Sequence, residues 1–405
     1  MTRPTSRVAR VEVGGPLASW APAFRARLEE SGYTALTIVN ELRQVQHLSR
    51  WLEADDLEAT DLTPGRVEQF VSQRRGVVGS RNCSFKGLLV FLDVLRSAGV
   101  VPVAVVSGPV SAHEVLLGSF REHLFAERGL ADCTADAYVA RARRFLTGCG
   151  IDEGLGAVTA ADVTRAVRDE AARVSVGSAQ YFVAGLRSFL RFCFVEGFVE
   201  ADLSAAALAV TGRRRSLLPQ GINAANVAAL LASCDRRRGD GRRDYAILVV
   251  LLRLGLRASE VAGLTLDDID WRAGEVVVRG KGRRQDRLPL PAEVGDAIVA
   301  YLRRGRPRTS RREVFLRSIA PQGPLGREGV SFVVRRACRR AGVTEVGAHR
   351  LRHTLACQMV AGGVGLAAIG QVLRQRNVSS TAIYARVDLN ALRELALPWP
   401  GSDVR

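Results

Sequence analysis

Lysine is almost missing from this chain. Of 58 Lys+Arg residues, only Lys86 and Lys281 are lysine and the other 56 are arginine. Arginine therefore fills nearly every place where any cation would serve. A lysine retained in the turn Arg279-Gly280-Lys281-Gly282 points to a task that a guanidinium performs poorly, such as giving up a proton. The seven cysteines (positions 83, 133, 149, 193, 234, 338 and 357) are scattered, with no Cys-x-x-Cys pair. An odd, dispersed set argues against a disulfide framework and for reduced thiols in a cytoplasm. The five histidines are equally scattered apart from His349 and His353, so no metal site is expected. Apolar runs fall short of membrane-spanning length, and the N-terminus shows no signal-peptide stretch, so no membrane partner is expected.

What is present is arginine, unevenly placed. The 405-residue chain carries a net charge of +17. Residues 211–405 hold 35 Lys+Arg against 17 Asp+Glu, a net of +18, whereas residues 1–210 are near neutral at −1. Arginine inflation from a GC-rich genome would raise the charge everywhere; a basic half beside a neutral one points to nucleic acid. At 47% hydrophobic and 24% charged, the composition suits a soluble protein of two or three domains.

The N-terminal half reads as two copies of one unit, offset by 96–98 residues. Thr37 and Thr134 open similar helical patterns, with Leu48 and Phe145 in matching places. Thr63-Pro64 and Thr159-Ala160 each begin a helix, followed by Val67 and Val71 in one and Val163 and Val167 in the other. Phe91-Leu92 then Gly99 matches Phe189-Leu190 then Gly197. A long-period repeat of this kind means two copies of one fold, here about four amphipathic helices each. The expected domains are a helical bundle over residues 1–110, a second over 111–210, and a third domain over 211–405. Both bundles serving structure alone is the alternative; Arg141, Arg143, Arg144, Arg187 and Arg191 argue mildly for nucleic-acid contact by the second. Between bundle and third domain, Arg213-Arg214-Arg215 followed by Pro219 reads as a basic linker.

The third domain is expected to be mainly helical, with a buried helix over residues 243–254 and an amphipathic basic helix over 328–341. Glu275–Arg279 and Arg287–Leu290 read as two strands with Lys281 in their connection. Four settings carry chemistry: Arg257 beside Ser259-Glu260, Lys281 between glycines, His349-Arg350-Leu351-Arg352-His353, and Tyr384 after Thr381-Ala382-Ile383. Cutting a phosphodiester by transesterification needs a nucleophile, positive charge around the non-bridging oxygens and a proton for the leaving oxygen. Arg257 and Arg352 supply guanidinium forks that stay charged and bond bidentately. Either arginine alone would more simply be a surface ion pair. Tyr384 supplies a phenol, acidic enough to attack and later to leave, so bond energy is stored without ATP.

In order and spacing this set resembles the tyrosine recombinase (phage integrase) superfamily, whose pattern is Arg, Lys, His-x-x-Arg, His or Trp, Tyr. The resemblance is close over about residues 213–390 and looser before. It implies a mainly α fold: two tandem SAM-like helical bundles that bind DNA, the second in the core-binding position, and an α-rich catalytic domain with a small antiparallel sheet. It implies a site-specific recombinase that works as a homotetramer on paired double-stranded DNA sites, through a 3′-phosphotyrosyl link and a Holliday junction, with no metal or nucleotide cofactor. Lys281 would protonate the leaving 5′-hydroxyl, and His349 would assist proton transfer or bind phosphate. Glu260 would orient Arg257, with His353 placed behind the reacting groups. Arg283, Arg284 and Arg287 would grip the DNA backbone, as would Arg213–Arg215, Arg141, Arg144 and Arg187. One departure stands out: Gln375 occupies the usual His or Trp place, and its amide donates a hydrogen bond but carries no charge. That leaves open an accessory subunit working with sister recombinases; a type-IB topoisomerase is a further alternative. The apolar stripe of Leu389, Leu392 and Leu395–Leu397, with Trp399, would dock on a neighbouring protomer or pack on its own domain.

Overall fold

Apolar residues at three- and four-residue spacing make helices the dominant element, each burying one stripe against its neighbours. The computed structural model describes residues 11–78, 85–101, 111–150, 155–212, 221–280, 284–375, Thr381 and Tyr384. It divides into two compact units, Met1–Pro102 with Leu217–Arg405, and Val103–Ser216.

In the first unit, α1 (Ala21–Glu30), α2 (Ala35–Ala54), α3 (Pro64–Val78) and α4 (Phe85–Ser97) form a bundle around Leu28, Leu42, Leu48, Val67 and Phe91. The second unit repeats the plan with α5 (Ala112–Ala126), α6 (Asp132–Cys149), α7 (Ala160–Arg173) and α8 (Val176–Val195), around Phe120, Phe145, Val163 and Phe189. The matched positions do the same work in both. Phe24 meets Phe91 edge to face at 5.0 Å, and Phe120 meets Phe189 edge to face at 5.2 Å. Gly99 and Gly197 end α4 and α8 with φ of +72° and +75°, a conformation open to glycine without a Cβ clash. The cap of α2 is Thr34 rather than Thr37: Thr34 is extended, and its hydroxyl accepts the Thr37 N–H. In α7 the expected start holds, with Thr159 and Asp162 forming a reciprocal capping box.

The rest of the first unit is built on α10 (Gly239–Arg253), preceded by α9 (Ala224–Ala232). Residues Ala246 to Leu252 of α10 are all buried, so this helix is apolar on every side because every side is packed. Then come the short α11 (Ala258–Ala262), the antiparallel sheet, and α12 (Ala292–Arg304), α13 (Arg327–Ala341), α14 (Ala348–Ala361) and α15 (Leu366–Val372). The sheet has three strands, β1 (Ile269–Asp270), β2 (Glu275–Arg279) and β3 (Gln285–Pro289), in the order β1-β2-β3. Alternation in the sequence points to two strands; β1 is two residues long, too short for alternation to reveal. Its third strand also starts earlier than expected, because Arg279 pairs with Gln285.

Helix α13 is basic, yet part of its charge is turned inward. Asp244 of α10 is fully buried, accepts from Arg243 Nη2 at 2.8 Å and Arg336 Nη2 at 2.5 Å, and lies 3.5 Å from Arg340. Removing Asp244 from such a cluster would leave the buried Arg243 guanidinium without its carboxylate. The first bundle also touches this part of its unit: the Gln322 N–H donates to the Ser31 carbonyl at 2.8 Å.

Candidate active site

Helix α14 carries His349, Arg352 and His353 within about one turn, so the three project from neighbouring positions. Of the three, His353 lies against Tyr384, with ring centroids 5.5 Å apart. Tyr384 is fully buried in a small cluster with Ala356, Val360, Ile369 and Leu373. Its hydroxyl lies 2.7 Å from His353 Nδ1. His349 stacks edge to face on His353 at 4.4 Å. His353, expected behind the reacting groups, therefore touches the phenol directly.

Arg352 is buried and donates from its two terminal nitrogens to the carbonyls of Gly255 and Leu373. Gly255 has φ +57°, and a Cβ there would sit 2.9 Å from both Leu355 Cδ2 and Leu373 Cδ2. The turn after α10 therefore needs glycine twice over, for its backbone and for the close approach of α14 and the α15 end. That turn delivers Arg257 to the start of α11, where its backbone N–H donates to Glu260 Oε2 at 2.8 Å and its Nη1 to Oε1 at 2.6 Å.

Glu260 serves a second arginine that the sequence reading did not single out. Arg374 Nη2 donates to Glu260 Oε2 at 2.9 Å. The only hint in the sequence was its place beside Gln375. Burial pushes the Glu260 carboxyl up, but the Arg257 N–H and the Arg374 and Arg257 guanidinium groups outweigh it and hold it below the usual carboxylate range. Arg352 is pushed down to about 10, by burial first and then by Arg257 and Arg374, so these three guanidinium groups share one neighbourhood. It stays charged at neutral pH. Burial, then Arg352 and Arg257, lower His349. Burial, then His349, Arg350 and Arg352, bring His353 down to about 4, so it is neutral at physiological pH. Burial raises the Tyr384 phenol, opposed by a hydrogen bond with Gln375 and by Arg352. Gln375 also accepts from the Thr381 hydroxyl at 2.8 Å.

The structure thus brings together Arg257, Glu260, His349, Arg352, His353, Gln375 and Tyr384. The Gly280 N–H donates to the Arg284 carbonyl at 2.8 Å, closing the β2–β3 connection at its base. Lys281 and Arg283 in that connection, Arg213–Arg215 and the tail with Trp399 lie outside the described residues. Arg284 is exposed, and Arg287 reaches Glu275 at 3.3 Å with most of its side chain in solvent. In the second bundle Arg144 pairs with Glu170 at 2.6 Å, Arg187 donates to the Ala207 carbonyl at 2.9 Å, and Arg141 donates to the Ala137 carbonyl.

The described residues place a buried phenol, two imidazoles and three guanidinium groups in one neighbourhood. Residues 220–390 match the model of the phage integrase family. Over 396 residues the chain is 40% identical to a Sinorhizobium fredii protein named provisionally as integrase/recombinase y4rA, covering 96% of this chain and 95% of that one. It is 35% identical over 310 residues to the tyrosine recombinase XerD of Mycobacterium tuberculosis, covering 71% of this chain and 97% of XerD. Among solved structures, the XerH site-specific recombinase bound to a palindromic difH substrate shares the fold, with a TM-score of 0.53 at 14% identity over 97% of this chain and 98% of that one. The chain belongs to the phage integrase family and is a tyrosine-type site-specific recombinase.

Proposed function

We propose that this recombinase binds double-stranded DNA at its own recombination sites and cuts it with Tyr384. The phenol attacks phosphorus and stays bonded to the 3′ phosphate, while the 5′ oxygen leaves as a hydroxyl. Arg257 and Arg352 hold the non-bridging oxygens, where developing charge is best stabilised by donors already in place. Lys281 gives its proton to the leaving oxygen, and His349 assists proton transfer or binds phosphate. The reverse reaction on a second duplex rejoins the strands, with a Holliday junction between the two exchanges. The bond energy is kept in the phosphotyrosine, so rejoining calls for no nucleotide, and the arginines supply the positive charge that a metal would otherwise give.

The observation that carries this reading is the Tyr384 hydroxyl held 2.7 Å from His353, next to His349 and Arg352 on the same helix. The relatives' names support DNA as the partner: XerH was solved on a difH substrate. We further read residues 1–110 and 111–210 as two bundles of which the second grips DNA, residues 211–405 as the catalytic domain, and the working form as a homotetramer on paired sites in the cytoplasm. A nicked duplex that traps the cleaved strand tests the reading, since it should accumulate a covalent adduct at Tyr384.

A second reading is favoured by Gln375. An amide in place of a charged or ring donor lowers the charge available to the phosphate, which suits a subunit that depends on sister recombinases. Adduct formation by the purified chain alone separates the two.

A further inference from the structure

Helix α15 ends in a way that normally requires glycine. The Arg374 N–H donates to the Gln371 carbonyl at 2.9 Å and the Gln375 N–H to the Gly370 carbonyl at 2.8 Å, the paired closing bonds of a Schellman cap. The residue between must be left-handed, and Arg374 takes φ +52° there, with a full side chain where glycine is the default. The side chain is not spent on solvent. It is 7% exposed, donates to Glu260 Oε2 at 2.9 Å, and keeps a buried Nε with no hydrogen-bond partner among the described residues, 4.0 Å from Asp286 Oδ2.

Charge counting gives this placement a meaning. Glu260 is 3% exposed at its side chain and bonds Arg257 through both its backbone N–H and its guanidinium. A carboxylate so close to Arg257 would cancel most of the positive charge offered to a phosphate. With Arg374 on the same carboxylate, two guanidinium groups share the buried Glu260. Asp286, about half exposed and at 4.0 Å from Arg374, offsets less of that charge because solvent screens it, so the buried trio remains cationic. The gain falls at the residue preceding Gln375, where charge is lacking.

We propose that Arg374 is a positioning residue for Arg257: by sharing Glu260 it fixes the carboxylate and leaves the Arg257 guanidinium cationic toward the scissile phosphate. This rests on the reading of Arg257 given under Proposed function. The same cap holds Gln375 in place, so one short turn sets both groups.

The test uses the full-length chain and a nicked duplex carrying a site selected by that chain from random DNA. Single-turnover cleavage is measured on the normal phosphate and on a methylphosphonate at the mapped scissile position, which removes the negative charge. Arg374→Gly suits the left-handed backbone, so the cap survives. Losing one of the two guanidinium partners of Glu260 lowers thermal stability, so cleavage is compared well below the melting temperature of both chains, with Arg374→Lys as the variant that keeps the charge. Arg374→Gly should cleave the phosphate about tenfold more slowly with unchanged duplex affinity, less than the hundredfold or more typical of losing a donor that touches the oxyanion itself. On the methylphosphonate the deficit should shrink to about threefold or less, because a neutral centre needs less positive field. Arg374→Lys should keep most of the wild-type rate, and Arg374→Gly with Gln375→His should regain much of it. Wild-type cleavage by Arg374→Gly, or an equal deficit on both substrates, overturns the proposal. If the wild-type chain forms no Tyr384 adduct on its selected site, both the proposal and the reading beneath it fail; an intact wild type with an unaffected Arg374→Gly sinks the proposal alone.

Discussion

Tyr384 and His353 share a hydrogen bond of 2.7 Å, hydroxyl to Nδ1, and the phenol is fully buried. Burial makes the phenol harder to ionise, and the neutral imidazole beside it can accept the hydroxyl's hydrogen bond through an unprotonated Nδ1. The proposed nucleophile is thus held by a hydrogen-bonding partner on α14. Tyr384→Phe should leave binding to DNA unchanged and abolish the covalent adduct on a nicked substrate. An adduct formed at normal yield by the Phe variant would remove Tyr384 from the mechanism.

Lys281→Ala should slow strand cleavage on an ordinary phosphate. A substrate with sulfur at the 5′ bridging position should recover much of the rate, because a thiolate leaves without a proton. Equal slowing on both substrates would show that Lys281 is not the acid.

His353 carries a pH prediction. Its folded-state value of about 4 lies below the ordinary 6.5, so the unfolded chain binds the proton first as pH falls. The stability tied to neutral His353 is complete above about pH 6.5 and is lost progressively toward pH 4. Thermal melts across that window should show the loss, and His353→Gln should flatten it. A melting profile unchanged by that substitution would assign the acid sensitivity elsewhere.

The two bundles should respond alike to loss of their matched phenylalanines. Phe91→Ala and Phe189→Ala each delete a buried ring from an edge-to-face pair, at a cost of about 3–5 kcal/mol each. Urea unfolding measures it. A cost below about 1 kcal/mol at either site would contradict the packing described.

Removal of residues 388–405 should leave binding to a single site intact and reduce cooperative assembly on paired sites, if the tail docks on a neighbouring protomer. Gel shifts on one-site and two-site duplexes compare the two. Equal assembly with and without the tail would place it on its own domain.

The order Arg257, Lys281, His349-x-x-Arg352, Tyr384 could be read along the chain because each residue type has a chemical task and the flanking residues mark its setting. The repeat was legible for the same kind of reason: Leu48 and Phe145, or Phe91 and Phe189, keep their spacing because each must fall on the buried side of a helix. What the chain could not disclose was distance across it. Nothing local says that Glu260 reaches Arg374, 114 positions on, or that His353 rather than a surface neighbour receives the Tyr384 hydroxyl. Strand β1 escaped because two residues have no period. The sequence by itself determined the helices, the repeat and the set of candidate reacting groups, since these follow from periodicity and side-chain chemistry. Only the tertiary structure decided which carboxylate meets which guanidinium, because that pairing is set where the turn at Gly255, the cap at Arg374 and helix α14 converge, and such convergence is a property of packing.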